Sequence, residues 1–401
     1  MDFAETDDQT MIRDMVRDFA ETVAGPSCHQ RDKEQSPPID EFKEFAGLGF
    51  AGMTISEKYG GQKLDDISEA IVVEELSRVD PSLGVMVAVH VGLCSMTIAL
   101  NGNEEQKKKY LPKLASGEHL GAYSLSEAGS GTDAAAMVAK ATEDSSNFIL
   151  NGEKMWVTNG TTADLFVVFA KVTDDPEYGN CECTNHPCTC GKKRHGGVTG
   201  FIIEKDFEGF KIGKKEDKLG IRSSDTCTLI LDNCKVPKEN VLGEVGKGFA
   251  IAMNALDNSR IGIAAQALGI AQGAYEAALK YSKERETFGK PIAAHQSIGN
   301  YLAEMAMRID AVRLQVYKAA WSKMKHYEEN GDRHTLEASF AKLNAGDTAM
   351  WVSEKAVQIL GGYGYTTEFP VERFFRDAKI TQIYEGTQEV QRLVIAREIS
   401  K

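Results

Sequence analysis

Positive charge is in deficit in this 401-residue chain: 46 Lys and Arg against 59 Asp and Glu leave a net charge of −13. A surface of that sign has no generic attraction for nucleic acid or anionic lipid, so neither is an expected partner. Proline is scarce as well, at 10 residues, while 42% of the chain is hydrophobic. Together these exclude the collagen-like, low-complexity and disordered classes. An apolar leader is missing too. Met1-Asp2-Phe3-Ala4-Glu5-Thr6-Asp7-Asp8 is acidic and carries no hydrophobic stretch, so no signal peptide is expected. One long segment lacks charge altogether: Leu83 to Leu100 contains no Lys, Arg, Asp or Glu and approaches membrane-spanning length. His90, Ser95, Thr97 and two glycines interrupt it, and no Trp or Tyr marks its edges. It reads as a buried core helix of a soluble, cytoplasmic protein with no membrane span.

What is present divides the chain in three, in keeping with the two to three domains its length suggests. Residues 1–120 read as helices. Thr6-Asp7-Asp8-Gln9 is a capping box, and Met11, Ile12, Met15, Val16, Phe19 and Val23 follow at helical spacing. Ile39 to Leu48, Ile67 to Val79 and Glu104 to Leu114 continue the pattern, with Glu74 and Glu75 placed on a polar face. From 121 to 237 the runs shorten and β-branched residues accumulate. Asn151-Gly152 between apolar runs signals a hairpin, and Asn159-Gly160 a second turn. Leu165 to Val172, Gly200 to Glu204 and Thr226 to Leu231 read as strands. Short connections predict an antiparallel β domain. From 238 to 401 helical spacing returns in Ile261 to Lys283, Ile298 to Tyr327, Leu336 to Leu360 and Gln388 to Ile399, the pattern of a four-helix bundle. The expected class is multi-domain α+β.

Four stretches are candidates for chemistry. The Ser/Gly-rich loop from Tyr123 to Asp133 can bring backbone N–H groups and hydroxyls close to a phosphate or a polar ring edge. Trp156 beside Thr158 can cover one face of a flat ring and bond its edge, though a half-buried strand aromatic is the commoner role. Gln358-Ile359-Leu360-Gly361-Gly362-Tyr363-Gly364 holds more glycines than one helix C-cap needs. In Tyr384-Glu385-Gly386-Thr387, Thr387 can cap the last helix, and Glu385 projects either to solvent or into a cleft.

Taken in this order, the motifs resemble the acyl-CoA dehydrogenase family. The likeness spans the chain apart from one insertion, and includes Leu125-Ser126-Glu127, Trp156-Val157-Thr158, Arg285-Glu286-Thr287-Phe288-Gly289, Gln358 to Gly362 and Tyr384-Glu385-Gly386-Thr387. Leu256 to Gly269 and Pro370 to Ile380 are most similar to the short-chain, butyryl-CoA type. The resemblance implies FAD bound between a β domain and a C-terminal bundle, in a homotetramer. It implies flavin contacts from Tyr123, Leu125, Ser126, Gly131, Thr132, Trp156 and Thr158. It adds FAD contacts from Arg285, Phe288, Gln296, Gln358, Gly361 and Gly362, partly across subunits, and from Thr387 and Glu389. Thr132, Asp257, Arg260 and Gly386 match acyl-CoA contacts, and Glu385 matches the base that takes the Cα proton while hydride leaves Cβ for the flavin. A carboxylate suits that step, because desolvation raises its proton affinity toward neutral pH. Asn258 and Ser259 supply no Glu on the earlier helix where some relatives carry the base. The implied electron acceptor is an electron-transferring flavoprotein. Two other readings use the same residues: an enoyl-CoA reductase running the site in reverse, and a non-catalytic flavoprotein scaffold.

The resemblance stops at an insertion, 174–197, where Cys181, Cys183, Cys188 and Cys190 hold four of the 8 cysteines. Four thiolates suit tetrahedral Zn²⁺, with His186 and His195 in reserve; the Cys-x-Cys spacing is tighter than usual, and a reduced loop is the alternative. Cys28, Cys94, Cys227 and Cys234 are scattered and read as small buried apolar residues.

Overall fold

Thr6 and Gln9 bond each other reciprocally, side chain to backbone N–H at 3.2 and 3.1 Å, and so start helix α1 (Asp7–Phe19). The computed structural model describes residues 4–173, 194–328, 331 and 333–401. Cys181, Cys183, Cys188, Cys190 and the metal expected on them lie outside these residues. After α1 come α2 (Gly25–Glu34), α3 (Ile39–Gly47) and α4 (Asp66–Val79). The uncharged segment then forms one helical run, α5 (Pro81–Ala88) and α6 (Met96–Asn101) joined through a π-helical turn. Of its most apolar window 78% is buried, as a core helix requires. Helix α7 (Glu104–Ala115) closes the layer.

Glu74 and Glu75 correct the expectation of a polar face. Each is 1% exposed. Glu75 meets Arg13, Arg17 at 2.9 Å and Arg78 at 3.0 Å, while Glu74 meets Arg313 at 2.8 Å and the Tyr317 hydroxyl at 2.9 Å. α1 and a later helix cover this side of α4, and buried carboxylates persist there because cations reach them.

The β unit comprises β1 (Gly121–Ser124), β2 (Lys140–Asp144), β3 (Asn147–Thr158), β4 (Leu165–Val172), β5 (Val198–Glu204), β6 (Phe210–Lys215), β7 (Thr226–Pro237) and β8 (Val241–Leu242). They form one sheet in the order β6-β7-β3-β2-β4-β5-β8, with β1 also on β4. Antiparallel pairing dominates, but β1 and β2 both run parallel to β4. Connection length constrains only strands adjacent in sequence, and these are not. Asn151-Gly152 is not a hairpin turn either. The chain reverses at Ser145-Ser146, and Gly152 sits mid-strand where the register against β7 shifts. At Gly152 φ is +147°, and a Cβ would lie 2.8 Å from Ala139, so the glycine serves a bulge.

The remaining helices are α8 (Gly248–Glu284), then, past the short β9 (Glu286–Thr287) and β10 (Lys290–Pro291), α9 (Gln296–Ser322), α10 (Thr335–Leu360), α11 (Val371–Ile380) and α12 (Gln388–Ile399). Ala264, Ala267 and Ala271 of α8 share a core with Ala341, Ala345 and Ala349 of α10, small side chains that let the two helices approach closely. A second core joins the three units. Tyr123 and Val167 from the sheet, Ile221 from the β6–β7 loop and Ile263 from α8 pack together, with Ile380 and Tyr384 against them. The connection from α11 to α12 therefore starts from a fixed floor.

Candidate active site

Glu385 lies on that connection at φ 53°, followed by Gly386 at φ 96°. Two successive left-handed residues turn the chain sharply, and the non-glycine one costs about 1–3 kcal/mol. The φ of Gly386 favours glycine whatever the space, and a Cβ there would also displace Gln391 Nε2, 2.6 Å away. Four bonds hold the turn. Arg260 Nε and Gln391 Nε2 donate to the Glu385 carbonyl at 3.3 and 3.2 Å. Gln391 Nε2 and Lys342 Nζ donate to the Gly386 carbonyl at 3.1 and 2.7 Å. Arg260 is in turn fixed by Asp257 at 2.5 Å, which also accepts from Arg333 and Thr335, both at 2.6 Å.

The Glu385 side chain is thereby set into the interior, although the residue keeps an opening to solvent. Burial raises its carboxyl to about 7, against the opposing pull of the Ser259 hydroxyl, which donates to it, and of Arg260 and Lys342. Its charge reaches Tyr123, whose buried hydroxyl has no hydrogen-bond partner among the described residues and is pushed upward chiefly by burial. The preceding Tyr384 donates to Gln266, which anchors to the Pro81 carbonyl at 3.0 Å.

A second carboxyl, Asp377, is also raised to about 7 by burial. It is 1% exposed and accepts the backbone N–H of Ile221, tying the β6–β7 loop to α11. With no opening it is a structural clamp. Glu385, by contrast, is partly exposed.

The Ser/Gly loop is clamped to the sheet by a buried ion pair that the sequence reading assigned no role. Lys154 Nζ lies 2.7 Å from Glu127, with side chains 0% and 5% exposed, and donates to the Leu125 carbonyl at 3.0 Å. Burial lowers the lysine's proton affinity despite Glu127. The Met155 N–H bonds the Ser126 carbonyl at 3.0 Å, which sets Ser126 beside the strand that carries Trp156 and Thr158. Trp156 is 53% exposed at φ 57°, a strained position that holds the indole out of the protein. Leu125, Ser126 and Thr158 are half-buried, while Gly131 and Thr132 are exposed on the loop.

Arg285, Gly361 and Gly362 lie apart from this cluster. With Tyr281, Thr287 and Tyr363 they line a cleft of about 460 Å³ that shares no lining residue with the Glu385 turn. Phe288 projects nearby in sequence, 96% exposed at φ 53°. Gln296 and Gln358 are exposed and do not line the cleft. Thr387 caps α12 by accepting the Val390 N–H at 3.4 Å, and Glu389 is exposed on its first turn. Lys342 and Lys154 are the site residues the sequence reading missed. Their one local signal is a lysine at an otherwise apolar helix or strand position.

The geometry thus sets a strained, desolvated carboxylate where the β-sheet meets the helical bundle, and a half-exposed indole on the sheet. Comparison with known proteins says which class of protein carries it. Models described as the N-terminal, middle and C-terminal domains of acyl-CoA dehydrogenase match residues 6–118, 122–234 and 246–400. The short-chain specific acyl-CoA dehydrogenase of Clostridium acetobutylicum is 46% identical over 399 residues, 100% of both chains. The butyryl-CoA dehydrogenase of Megasphaera elsdenii superposes with a TM-score of 0.92 at 43% identity, again over 100% of both. A chain from a structure described as the electron transferring flavoprotein of Acidaminococcus fermentans, toward a mechanism of flavin-based electron bifurcation, gives 0.92 at 46% identity, covering 100% of this chain and 99% of that one. This protein belongs to the acyl-CoA dehydrogenase family, and is an oxidoreductase and a flavoprotein.

The residues present fit FAD. Trp156 offers a half-exposed indole, and Ser126 and Thr158 are half-buried hydroxyls on the adjoining loop and the same strand. The Arg285 cleft supplies a cation and two glycines whose Cβ positions are open, as a pyrophosphate needs.

Proposed function

We propose that this protein dehydrogenates the Cα–Cβ bond of a short-chain acyl-CoA, butyryl-CoA being the first substrate to test, with Glu385 taking the Cα proton. The observation that carries the reading is the Glu385 turn itself: a carboxyl raised to about 7, fixed by bonds to its own backbone, and still open to solvent. FAD, when bound, supplies the oxidant for the hydride that leaves Cβ. Ser126, Trp156 and Thr158 would orient the ring, Tyr123, Leu125, Gly131 and Thr132 would border it, and Arg285, Phe288, Gln296, Gln358, Gly361, Gly362, Thr387 and Glu389 would hold the rest. Thr132, Asp257, Arg260 and Gly386 would bound the acyl-CoA side. Charge gathering on the thioester oxygen needs preorganised donors, and the backbone N–H of Glu385 is a candidate.

A carboxyl near 7 is present in both forms at neutral pH, so the same residue can return a proton to an enoyl-CoA. The Acidaminococcus relative makes that reverse reading worth a direct assay. We further assign an electron-transferring flavoprotein as electron acceptor and a homotetramer as the working form. Phe288 and Tyr365, 96% and 89% exposed, support a partner subunit over the Arg285 cleft. A cytoplasmic location and domain limits of 1–120, 121–237 and 238–401 belong to the same reading.

The test is Glu385→Gln. It should retain FAD and lose about 10²–10⁴-fold in turnover with butyryl-CoA, the usual worth of a positioned base. Near-normal turnover would remove Glu385 from its role.

A further inference from the structure

Lys342 occupies the middle of α10, 1% exposed, among the alanines that pack this helix into the bundle. A buried ammonium ordinarily sits against a carboxylate. This one does not: among the described residues no carboxylate comes within ion-pairing distance. Its bonds go to the Gly386 carbonyl at 2.7 Å and the Gln388 side-chain oxygen at 3.1 Å. Both acceptors lie within three residues of Glu385. The charged groups facing Lys342 are Glu385 and Glu389 of this connection and the helix after it, Arg260 of α8 and Asp347 of α10. Burial and Arg260 oppose its charge, whereas the three carboxylates favour it, and the net effect brings it down to about 8.

We propose that Lys342 is a positioning residue for the base: its ammonium ties the Gly386 carbonyl to α10, keeping Glu385 in its left-handed turn, and its unpaired charge stabilises the carboxylate that must receive the proton. The inference deepens the assignment of Glu385 and rests on it. Both halves have a physical reason. The turn is strained and must be held from outside, and α10 is the rigid element beneath Gly386. A cation that satisfies carbonyls alone leaves its field to the nearest carboxylate.

Lys342→Gln and Lys342→Met in the FAD-loaded enzyme separate the two halves. Both remove the charge, and glutamine keeps a donor for the Gly386 carbonyl. Each should move the acidic limb of the turnover profile upward by about one pH unit, a modest charge–charge effect. Turnover then falls about fivefold at pH 7 and recovers by pH 9, the arithmetic of a base moved from 7 to 8. Lys342→Met should show an additional, pH-independent loss from the released turn, and Lys342→Arg should restore the limb. Infrared titration of the buried carboxyl stretch, with Glu385→Gln identifying the band, reads the same shift without turnover. An unmoved band and limb in both variants overturn the proposal, even where overall activity drops. Should Lys342→Met fail to fold, the glutamine variant decides in the same way. Full activity of Glu385→Gln would instead overturn the base assignment itself, so the two failures are distinguishable.

Discussion

The Lys154–Glu127 pair gives the most demanding prediction. Lys154→Met leaves a 5%-exposed carboxylate without its ion-pair partner, a lesion of about 3–5 kcal/mol. Glu127 still accepts the Val138 and Ala139 N–H groups at 2.6 and 3.1 Å, which places the cost near the lower figure, about 3 kcal/mol. At about 2–4 °C per kcal/mol for domains of 150–250 residues, the melting temperature should fall by about 6–12 °C. Glu127→Gln should cost less, because the lysine's proton affinity is already lowered by burial and the amine can shed its charge. The double variant should recover most of the loss, with a coupling energy of about 2 kcal/mol, since no buried charge is left unpaired. Urea denaturation of the four proteins completes the cycle. FAD titration should show about tenfold weaker binding in Lys154→Met, because the loop that carries Ser126 is no longer clamped to the strand that carries Trp156. Additive single and double effects would refute the reasoning: the pair would then be packing alone.

Two more predictions address the site directly. Ser259→Ala removes the hydroxyl that donates to the Glu385 carboxylate, an interaction of about 1.5–3 kcal/mol for a charged acceptor. Dehydrogenation needs the ionised form, so activity rises with pH through about 7, and the variant's limb should move up by about one unit or more. The loss should be confined to low pH and absent near pH 9; a flat loss across the profile would exclude the mechanism. Trp156→Gly removes a left-handed non-glycine residue whose indole is largely exposed, so the apoprotein should gain about 1 kcal/mol in a denaturation titration. FAD affinity should drop in the same variant. A less stable apoprotein would show that the indole is anchored by contacts within the chain.

Local signals were legible where their cause is local. Thr6 and Gln9 announce α1 because a capping box is complete within four residues. Leu165–Val172 and Gln388–Ile399 coincide with their apolar runs for the same reason, each bounded by residues that stop or cap it. The candidate base was legible through resemblance, not through chemistry, since an isolated Glu-Gly reads as solvated. Strand β6 and helix α11 went unread: β6 is short and lysine-rich, and α11 interleaves charge with its apolar face.

The chain's own order thus determined its helical, β and helical textures, its caps and the identity of the groups able to do acid–base work. Tertiary structure decided what those groups are. Asn151-Gly152 became a bulge because β7 and Ala139 lie against it, and Glu74 and Glu75 became buried because cations from other helices arrive there. Glu385 acquired its raised proton affinity from burial, opposed by Ser259 and Arg260 of α8 and by Lys342 of α10, none of them neighbours in sequence. Desolvation depends on what surrounds a charge in three dimensions, and no run of adjacent residues encodes that.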